Sequence, residues 1–333
     1  MKILFYDIKE FELDYFLNNA LNNIETYFFK NPLNKSTYID EKYKDAKALC
    51  VFVSSRLDEN VLSRFKNLKY IFLRCSGYSN VDLKYCKQNS IKIFNVPNYS
   101  PSGIAEFAFG LILSLIRKIN IAQESIKSGE INQNELMGFE LNSKTLGIIG
   151  VGHIGKKVIE IANGFNMKTL VYDINKNMDI CYSELDELYR NSDIIILCCP
   201  LTPETKGLIN NNSLNKMKKN AIIVNIARGE IVDTKALADA LVKKRIQGAA
   251  LDVIECEETL CDLWDFCINT DKREECLKKY LFIQKLKTMP NVIITPHIAY
   301  NTKEAVESIL RTTLQNIEAS FEINKDTKNL IML

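Results

Sequence analysis

The sequence predicts an α/β protein built from two doubly wound parallel sheets, and three observations lead to this fold class. Short apolar runs alternate with helical patterns along nearly the whole chain, which is typical of parallel βαβ units. The runs of the second half are apolar throughout, as in strands that are covered on both faces. The 333 residues, 47% of them hydrophobic, suffice for about two domains with separate cores.

The first hundred residues predict the first of these domains. Its β-branched and aromatic runs are the expected strands Lys2–Ile8, Ala48–Val53, Lys69–Arg74 and Ile91–Val96. Its helical patterns cover Glu12–Asn22 and Val81–Asn89. The segment Pro-Asn-Tyr-Ser-Pro at 97–101 then breaks the alternation and favours a stiff crossing between domains. A long, mostly buried helix is predicted from Gly103 to Ile119.

A second alternating series predicts the other domain. Its strands are Thr145–Ile149, Thr169–Tyr172, Ile194–Cys198, Ala221–Asn225, Ala249–Val253 and Val292–Thr295. Helices are predicted at Ile154–Gly164 and Thr234–Lys244. A final helix, Lys303–Phe321, follows a sheet that is already complete, so we expect it to return to the first domain. The predicted division is therefore residues 1–100 with 300–333, and residues 101–299.

Composition narrows the possible partners. The net charge of +2, from 43 basic and 41 acidic residues, gives no electrostatic reason to expect nucleic acid or an anionic membrane. The N-terminus has too few apolar residues for a signal peptide, which predicts a soluble, cytoplasmic protein. The 10 cysteines are expected to be free thiols. We expect no metal site, since the cluster at Cys256, Cys261, Cys267 and Cys276 lacks both C-x-x-C spacing and histidine.

A glycine motif predicts a dinucleotide site. Gly150, Gly152 and Gly155 form G-x-G-x-x-G, with His153 and Ile154 inside it. The bare motif is a weak signal, but here it follows a predicted strand and opens a predicted helix. Gly150 would allow the tight turn, Gly152 would let the backbone approach a pyrophosphate, and Gly155 would permit close packing at the helix start.

The next strand ends at Asp173, which favours NAD over NADP. A carboxylate at this distance from the glycine motif can accept hydrogen bonds from both ribose hydroxyls. It would oppose a 2′-phosphate by roughly 4 kcal/mol per charge pair at about 4 Å and an effective dielectric of about 20. A solvated aspartate at a strand end is the alternative reading, and the nearby Lys176 could pair with a phosphate.

Candidate acid–base groups are few, because the chain has two histidines. His153 lies in the glycine loop. His297 follows the last predicted strand, at the carboxyl edge where open α/β sheets bind ligands. Two further strand ends carry Arg228, whose planar fork suits a carboxylate, and Asp252, with Glu257 five residues beyond. Each could be a surface ion-pair residue, but their convergence on one cleft indicates an active site.

These motifs resemble the D-isomer-specific 2-hydroxy acid dehydrogenases, and the resemblance runs from Arg74 to the final helix. The segments in the family's order are Arg74–Asp82, Tyr99–Pro101, the glycine loop, Pro200–Thr205, Ala227–Gly229 and Thr295–His297. The resemblance implies a Rossmann NAD-binding domain inserted into a discontinuous, flavodoxin-like substrate domain. It also implies hydride transfer between NADH and a 2-keto acid, giving a D-2-hydroxy acid, and a homodimer built through the long helix.

The same resemblance assigns roles to individual residues. Arg228 would hold the substrate carboxylate and polarise the keto group, His297 would protonate the forming alkoxide, and Glu257 would favour the protonated imidazole. Substrate contacts are expected at Ser76, Gly77 and Tyr99. In addition to Gly150, Gly152, His153, Ile154, Gly155 and Asp173, the expected cofactor contacts are Cys199, Pro200, Ala227 and Asp252.

Two alternatives stay open beside a D-lactate or D-2-hydroxyisocaproate dehydrogenase. One is a hydroxypyruvate or phosphoglycerate-type dehydrogenase, although no basic cluster for a phosphorylated substrate is evident near Ser76 or Tyr99. The other is an NADH-sensing, corepressor-like binding protein, since such proteins share the fold and the Arg–Glu–His set. Motifs alone do not separate these classes.

Overall fold

The computed structural model describes residues 2–19, 24–176, 180–257, 273–321 and 328–331, which form two compact units. Met1–Ser100 with Thr302–Leu333 make the first unit, and Pro101–Asn301 make the second. Up to residue 100 the elements are β1 Lys2–Phe5, α1 Glu10–Asn18, β2 Glu25–Phe28, β3 Ala48–Val51, α2 Glu59–Leu62, β4 Tyr70–Leu73, α3 Leu83–Gln88 and β5 Lys92–Phe94.

The second unit begins with two helices and then alternates strands with helices. Its elements are α4 Pro101–Ile116, α5 Ile119–Ser128, β6 Thr145–Ile149, α6 His153–Gly164, β7 Lys168–Tyr172, α7 Leu185–Asn191, β8 Ile194–Leu197, α8 Asn211–Lys216, β9 Ile222–Asn225, α9 Thr234–Val242, β10 Gly248–Leu251, α10 Arg273–Lys287 and β11 Val292–Ile294. The chain then returns to the first unit with α11 Lys303–Phe321 and β12 Leu330–Ile331.

The sheet of the first unit has the strand order β12-β5-β4-β3-β1-β2. All its pairs are parallel except β12 with β5. The central strands β1 and β3 are buried almost throughout, as expected for strands covered on both faces. The final helix α11 supplies Leu310 and Ile317 to the same core as Phe5 and Phe72, which anchors it on this sheet.

The sheet of the second unit has the order β11-β10-β9-β8-β6-β7, and every pair is parallel. The direction in which strands are added reverses between β6 and β8, which creates a crevice at their carboxyl ends. Leu251 is level with Asn225 on one side and Ile294 on the other. The loops after β9, β10 and β11 therefore leave the sheet side by side. The predicted fold class of two doubly wound sheets is confirmed.

The predicted single helix from Gly103 to Ile119 is wrong at both ends. It begins at Pro101, because proline is favoured in the first turn, where its missing N–H costs no helical hydrogen bond. It stops at Ile116, and Lys118 takes a left-handed conformation with φ of 54° before α5 begins. No described helix is both long enough and apolar enough to cross a bilayer.

The expectation that all cysteines are free thiols is wrong for Cys256, which is disulfide-bonded. Six described cysteines are not part of a disulfide: Cys50, Cys75, Cys86, Cys181, Cys198 and Cys199. Cys261, Cys267 and the side chain of Cys276 lie outside the described residues, so the prediction of no metal at this cluster stays a prediction.

Candidate active site

The glycine loop connects β6 to α6 at the crevice of the second unit. Gly150 has a φ of 96°, and a Cβ at this position would lie 2.6 Å from the backbone nitrogen of Cys199. A Cβ on Gly155 would lie 2.2 Å from the carbonyl oxygen of Gly150. The first glycine is therefore required by conformation and space, and the third by the close approach of the helix to the turn.

Gly152 differs from the other two, because a Cβ there would meet no atom within 4 Å. It is exposed at the N-terminus of α6, beside the exposed His153 and the half-buried Ile154. Open space in front of the amide groups of a 12-residue helix is where a pyrophosphate binds. The residues present therefore fit a dinucleotide.

Asp173 lies directly after β7 and braces the same loop. Its Oδ2 accepts a hydrogen bond from the Val151 amide at 2.6 Å, and its Oδ1 accepts one from the Asn175 amide at 2.8 Å. These contacts fix the carboxylate beside the glycine turn. It is thus held where a ribose would follow the pyrophosphate.

Cys199 and Pro200 follow β8, on the other side of the crevice. Burial, with a smaller contribution from the Asp173 carboxylate, raises the pKa of the Cys199 thiol to about 11. The thiol is therefore uncharged at neutral pH, and it adds no negative charge near a bound pyrophosphate. Thr205 donates its hydroxyl hydrogen to the carbonyl of the exposed Pro200 at 2.7 Å, which closes the loop after the strand.

Asp252 stands at the end of β10 and is only 1% exposed. Its carboxylate accepts hydrogen bonds from the Thr295 hydroxyl at 2.6 Å, the Ile298 amide at 3.0 Å and the Ala299 amide at 2.8 Å. Its backbone carbonyl accepts the His297 amide hydrogen at 2.9 Å. One aspartate thus holds the whole loop that carries His297. Its predicted contact with the cofactor stays a prediction.

His297 and Glu257 form a direct pair. The imidazole Nδ1 lies 3.1 Å from Glu257 Oε1, and the two side chains are 34% and 41% exposed. His297 has a φ of 53°, a strained backbone conformation for a residue with a side chain. Among the described residues Nε2 has no hydrogen-bond partner, so this nitrogen is available to a ligand.

Arg228 follows β9 on a loop shaped by Asn225. The Asn225 side chain, fully buried, donates to the Arg228 carbonyl at 2.9 Å and accepts from the Ala227 amide at 3.1 Å. The half-buried Arg228 guanidinium donates to the Ala227 carbonyl at 2.6 Å through Nη1. The loop is therefore fixed from within, while the guanidinium can redirect its other donors to an anion.

The predicted substrate contacts Ser76, Gly77 and Tyr99 lie in the first unit. The Asn95 amide group donates to the Ser76 carbonyl at 2.8 Å, and the Cys75 thiol donates to the Gly77 carbonyl at 3.2 Å. In the described part of the chain the Ser76 and Gly77 amides have no acceptor. Tyr99 is half-buried.

Arg74 supports the segment that carries Ser76 and Gly77, and this role was not predicted from the sequence. It is fully buried and donates through Nη2 to the carbonyls of Tyr6 at 3.1 Å and Asp7 at 2.7 Å. Glu12 lies 3.6 Å from the same nitrogen. A buried cation at the end of β4 thus fixes the chain two residues before Ser76.

In the second unit the structure brings His297, Glu257 and Asp252 together, with Arg228 on the adjacent strand end. Three residues support these loops but were not predicted from the sequence to do so: Asn225, Gly229 and Glu255. Asn225 could have been noticed as a polar residue that ends an apolar strand. The contacts of Gly229 and Glu255 are tertiary and leave no pattern in the sequence.

We predict that Gly155→Ala weakens NADH binding by at least about tenfold, or about 1.4 kcal/mol, because the added Cβ displaces the Gly150 carbonyl. Fluorescence titration with NADH measures the Kd. The matched control is Gly164→Ala, at the other end of α6, where a Cβ meets no atom within 4 Å. An unchanged Kd in a folded Gly155→Ala protein would contradict the assignment of this loop.

Comparison with known proteins gives the family. Residues 109–299 match the family described as "D-isomer specific 2-hydroxyacid dehydrogenase, NAD binding domain". An aromatic 2-oxoacid reductase of Clostridium sporogenes is 36% identical over 99% of this chain and 98% of that protein. D-lactate dehydrogenase of Escherichia coli is 34% identical over 95% of this chain and 96% of that protein.

A solved structure agrees with these relatives. D-lactate dehydrogenase from Aquifex aeolicus, complexed with NAD and lactic acid, is 35% identical and superposes with a TM-score of 0.85, covering 96% of this chain and 95% of that one. Its similarity spans both units of the present chain. The chain therefore belongs to the D-isomer-specific 2-hydroxyacid dehydrogenases, which are NAD-dependent oxidoreductases.

Proposed function

We propose that this chain reduces pyruvate or a somewhat larger 2-keto acid to the D-2-hydroxy acid, with His297 as the general acid. The observation that carries this proposal is the 3.1 Å contact between His297 Nδ1 and Glu257 Oε1, which leaves Nε2 without a partner among the described residues. A carboxylate hydrogen-bonded to one ring nitrogen fixes the orientation of the imidazole. The other nitrogen can then donate a proton.

Each group at the carboxyl ends of these strands has a distinct role. Arg228 binds the substrate carboxylate through its planar fork and draws electron density from the adjacent keto group. The His297 Nε2 proton goes to the keto oxygen as C2 is reduced. Such a positioned acid contributes about 10²–10⁴ to the rate.

The cofactor would be held by the glycine loop, Asp173 and the Cys199–Pro200 turn, with Ala227 and Asp252 at the neighbouring strand ends. When bound, NADH supplies the hydride for C2. We assign the first unit to the substrate. This assignment rests on the Ser76 and Gly77 amides, which have no acceptor in the described chain and can donate to a carboxylate.

A homodimer through residues 101–137 is also part of the proposal. Helix α4 is strongly apolar, and the stretch after it exposes Ile119, Ile126, Ile131 and Met137, each more than half exposed. Two copies packed through this stretch would remove these side chains from water. Sedimentation measures the mass of the protein in solution, and we expect the mass of a dimer rather than that of a monomer.

Steady-state kinetics on pyruvate, phenylpyruvate, 2-ketoisocaproate and hydroxypyruvate test the proposed reaction. We expect NADH oxidation with the highest kcat/KM on one of the first three substrates, and a product of D configuration on chiral chromatography. The best substrate should exceed hydroxypyruvate by at least about tenfold. Preference for hydroxypyruvate would contradict the substrate class, and tight NADH binding without any turnover would indicate a binding protein.

His297→Ala is expected to lower kcat by about 10²–10⁴, because the alkoxide loses its proton donor. The Kd for NADH should stay within about threefold of the wild-type value, since the proposed pyrophosphate and ribose contacts lie at the other strand ends. Stopped-flow turnover and NADH titration on the same protein give both numbers. Retention of full turnover would remove His297 from the acid role.

A further inference from the structure

The loops after β9 and β10 touch through their backbones at Gly229. A Cβ on Gly229 would lie 2.2 Å from the carbonyl carbon of Ile254 and 2.5 Å from the amide nitrogen of Glu255. The φ of Gly229 is not in the left-handed region, so glycine is needed here for space. Any side chain would push the loop carrying Arg228 away from the loop carrying Glu257.

Glu255 fastens the same contact from the other side. Its side chain is buried, and its Oε2 accepts the amide hydrogen of Thr234, the first residue of α9, at 2.9 Å. Its Oε1 accepts from Lys279 Nζ of α10 at 2.6 Å. One carboxylate therefore joins the β10 loop to two helices through two charge-assisted hydrogen bonds.

This junction lies next to the proposed acid–base pair. Between Glu255 and Glu257 stands Cys256, with a φ of 53°, so the chain turns sharply from the anchored glutamate to the one that meets His297. On the facing loop, Gly229 directly follows Arg228. The junction therefore determines the positions of both Arg228 and Glu257.

We infer that Glu255, Lys279 and Gly229 form a positioning clamp that sets the Glu257–His297 pair in register with Arg228. The inference rests on the proposed function. None of the three residues needs to touch the substrate. Their effect goes through Glu257, because a displacement of about 1 Å at a reacting group can cost about 10²-fold in rate.

The second unit contains a matched control at the amino ends of the strands, opposite the site. Asp193 accepts the Thr145 amide hydrogen at 2.9 Å and pairs with Lys218 Nζ at 2.9 Å, where β6 and β8 begin. Burial of Asp193 opposes its ionisation, but the Thr145 amide and Lys218 outweigh this effect and lower its pKa. It has the same chemistry as Glu255 and lies at the strand ends away from the site.

The experiment compares Glu255→Gln and Lys279→Met with Asp193→Asn and Lys218→Met. The readouts are kcat for 2-keto acid reduction at saturating NADH and the Kd for NADH, with thermal midpoints alongside. In both clamp variants we expect kcat to fall at least about tenfold. The Kd for NADH should stay within about threefold of the wild-type value, because the glycine loop and Asp173 lie at other strand ends. The two controls should lower the thermal midpoint and keep kcat within about threefold of the wild-type value.

Gly229→Ala, compared with Gly164→Ala, tests the backbone contact by the same readouts. Lys279→Met keeps the Thr234 hydrogen bond, so it remains informative if a harsher variant does not fold. A kcat within about threefold of the wild-type value in folded clamp variants would overturn the inference. Absence of 2-keto acid reduction in the wild type would instead overturn the proposed function.

Discussion

One buried carboxylate holds the loop on which the proposed chemistry depends. Asp252 receives three hydrogen bonds from residues 295–299 on its side chain, and its carbonyl receives the His297 amide. A buried charge is costly unless its lone pairs are satisfied, and here the satisfying donors come from the loop itself. The end of β10 therefore fixes the position of the loop that carries His297.

This anchoring stabilises the strained backbone conformation of His297. A left-handed conformation at a residue with a side chain costs on the order of 1–3 kcal/mol and persists where its surroundings over-determine it. The four hydrogen bonds to Asp252 and the contact with Glu257 provide that determination. Asn225 works in the same way at the neighbouring strand end, where its buried side chain shapes the loop of Arg228.

Much of the fold was predictable because it follows from local patterns. All six apolar strands of the second unit are present, since continuous hydrophobicity needs no partner to be recognised. Strand β2, Glu25–Phe28, was missed because it is a half-exposed edge strand without a clear apolar run. The break at Lys118 was missed because the apolar pattern continues through it to Ile119 and Ile121.

The site likewise contains residues that could be predicted from local patterns and residues that could not. His297, Glu257 and Arg228 could be proposed because strand ends of a parallel sheet share one edge and because their residue types suit the chemistry. The partners of Asp252, the buried Glu255 and the fully buried Arg74 could not, since each depends on segments far apart in sequence. Charged residues in loops are usually exposed, and the sequence holds no sign that these are buried.

The turnover of Asp252→Asn at saturating NADH, with the NADH Kd measured on the same protein, tests the central claim most directly. The amide side chain keeps the shape but turns one acceptor into a donor that faces the Ala299 or Ile298 amide. With these hydrogen bonds weakened, the His297 loop should lose its position: kcat falls at least about tenfold, and by a larger factor than the Kd rises. Unchanged turnover with a large rise in the Kd would show that Asp252 serves the cofactor rather than the loop.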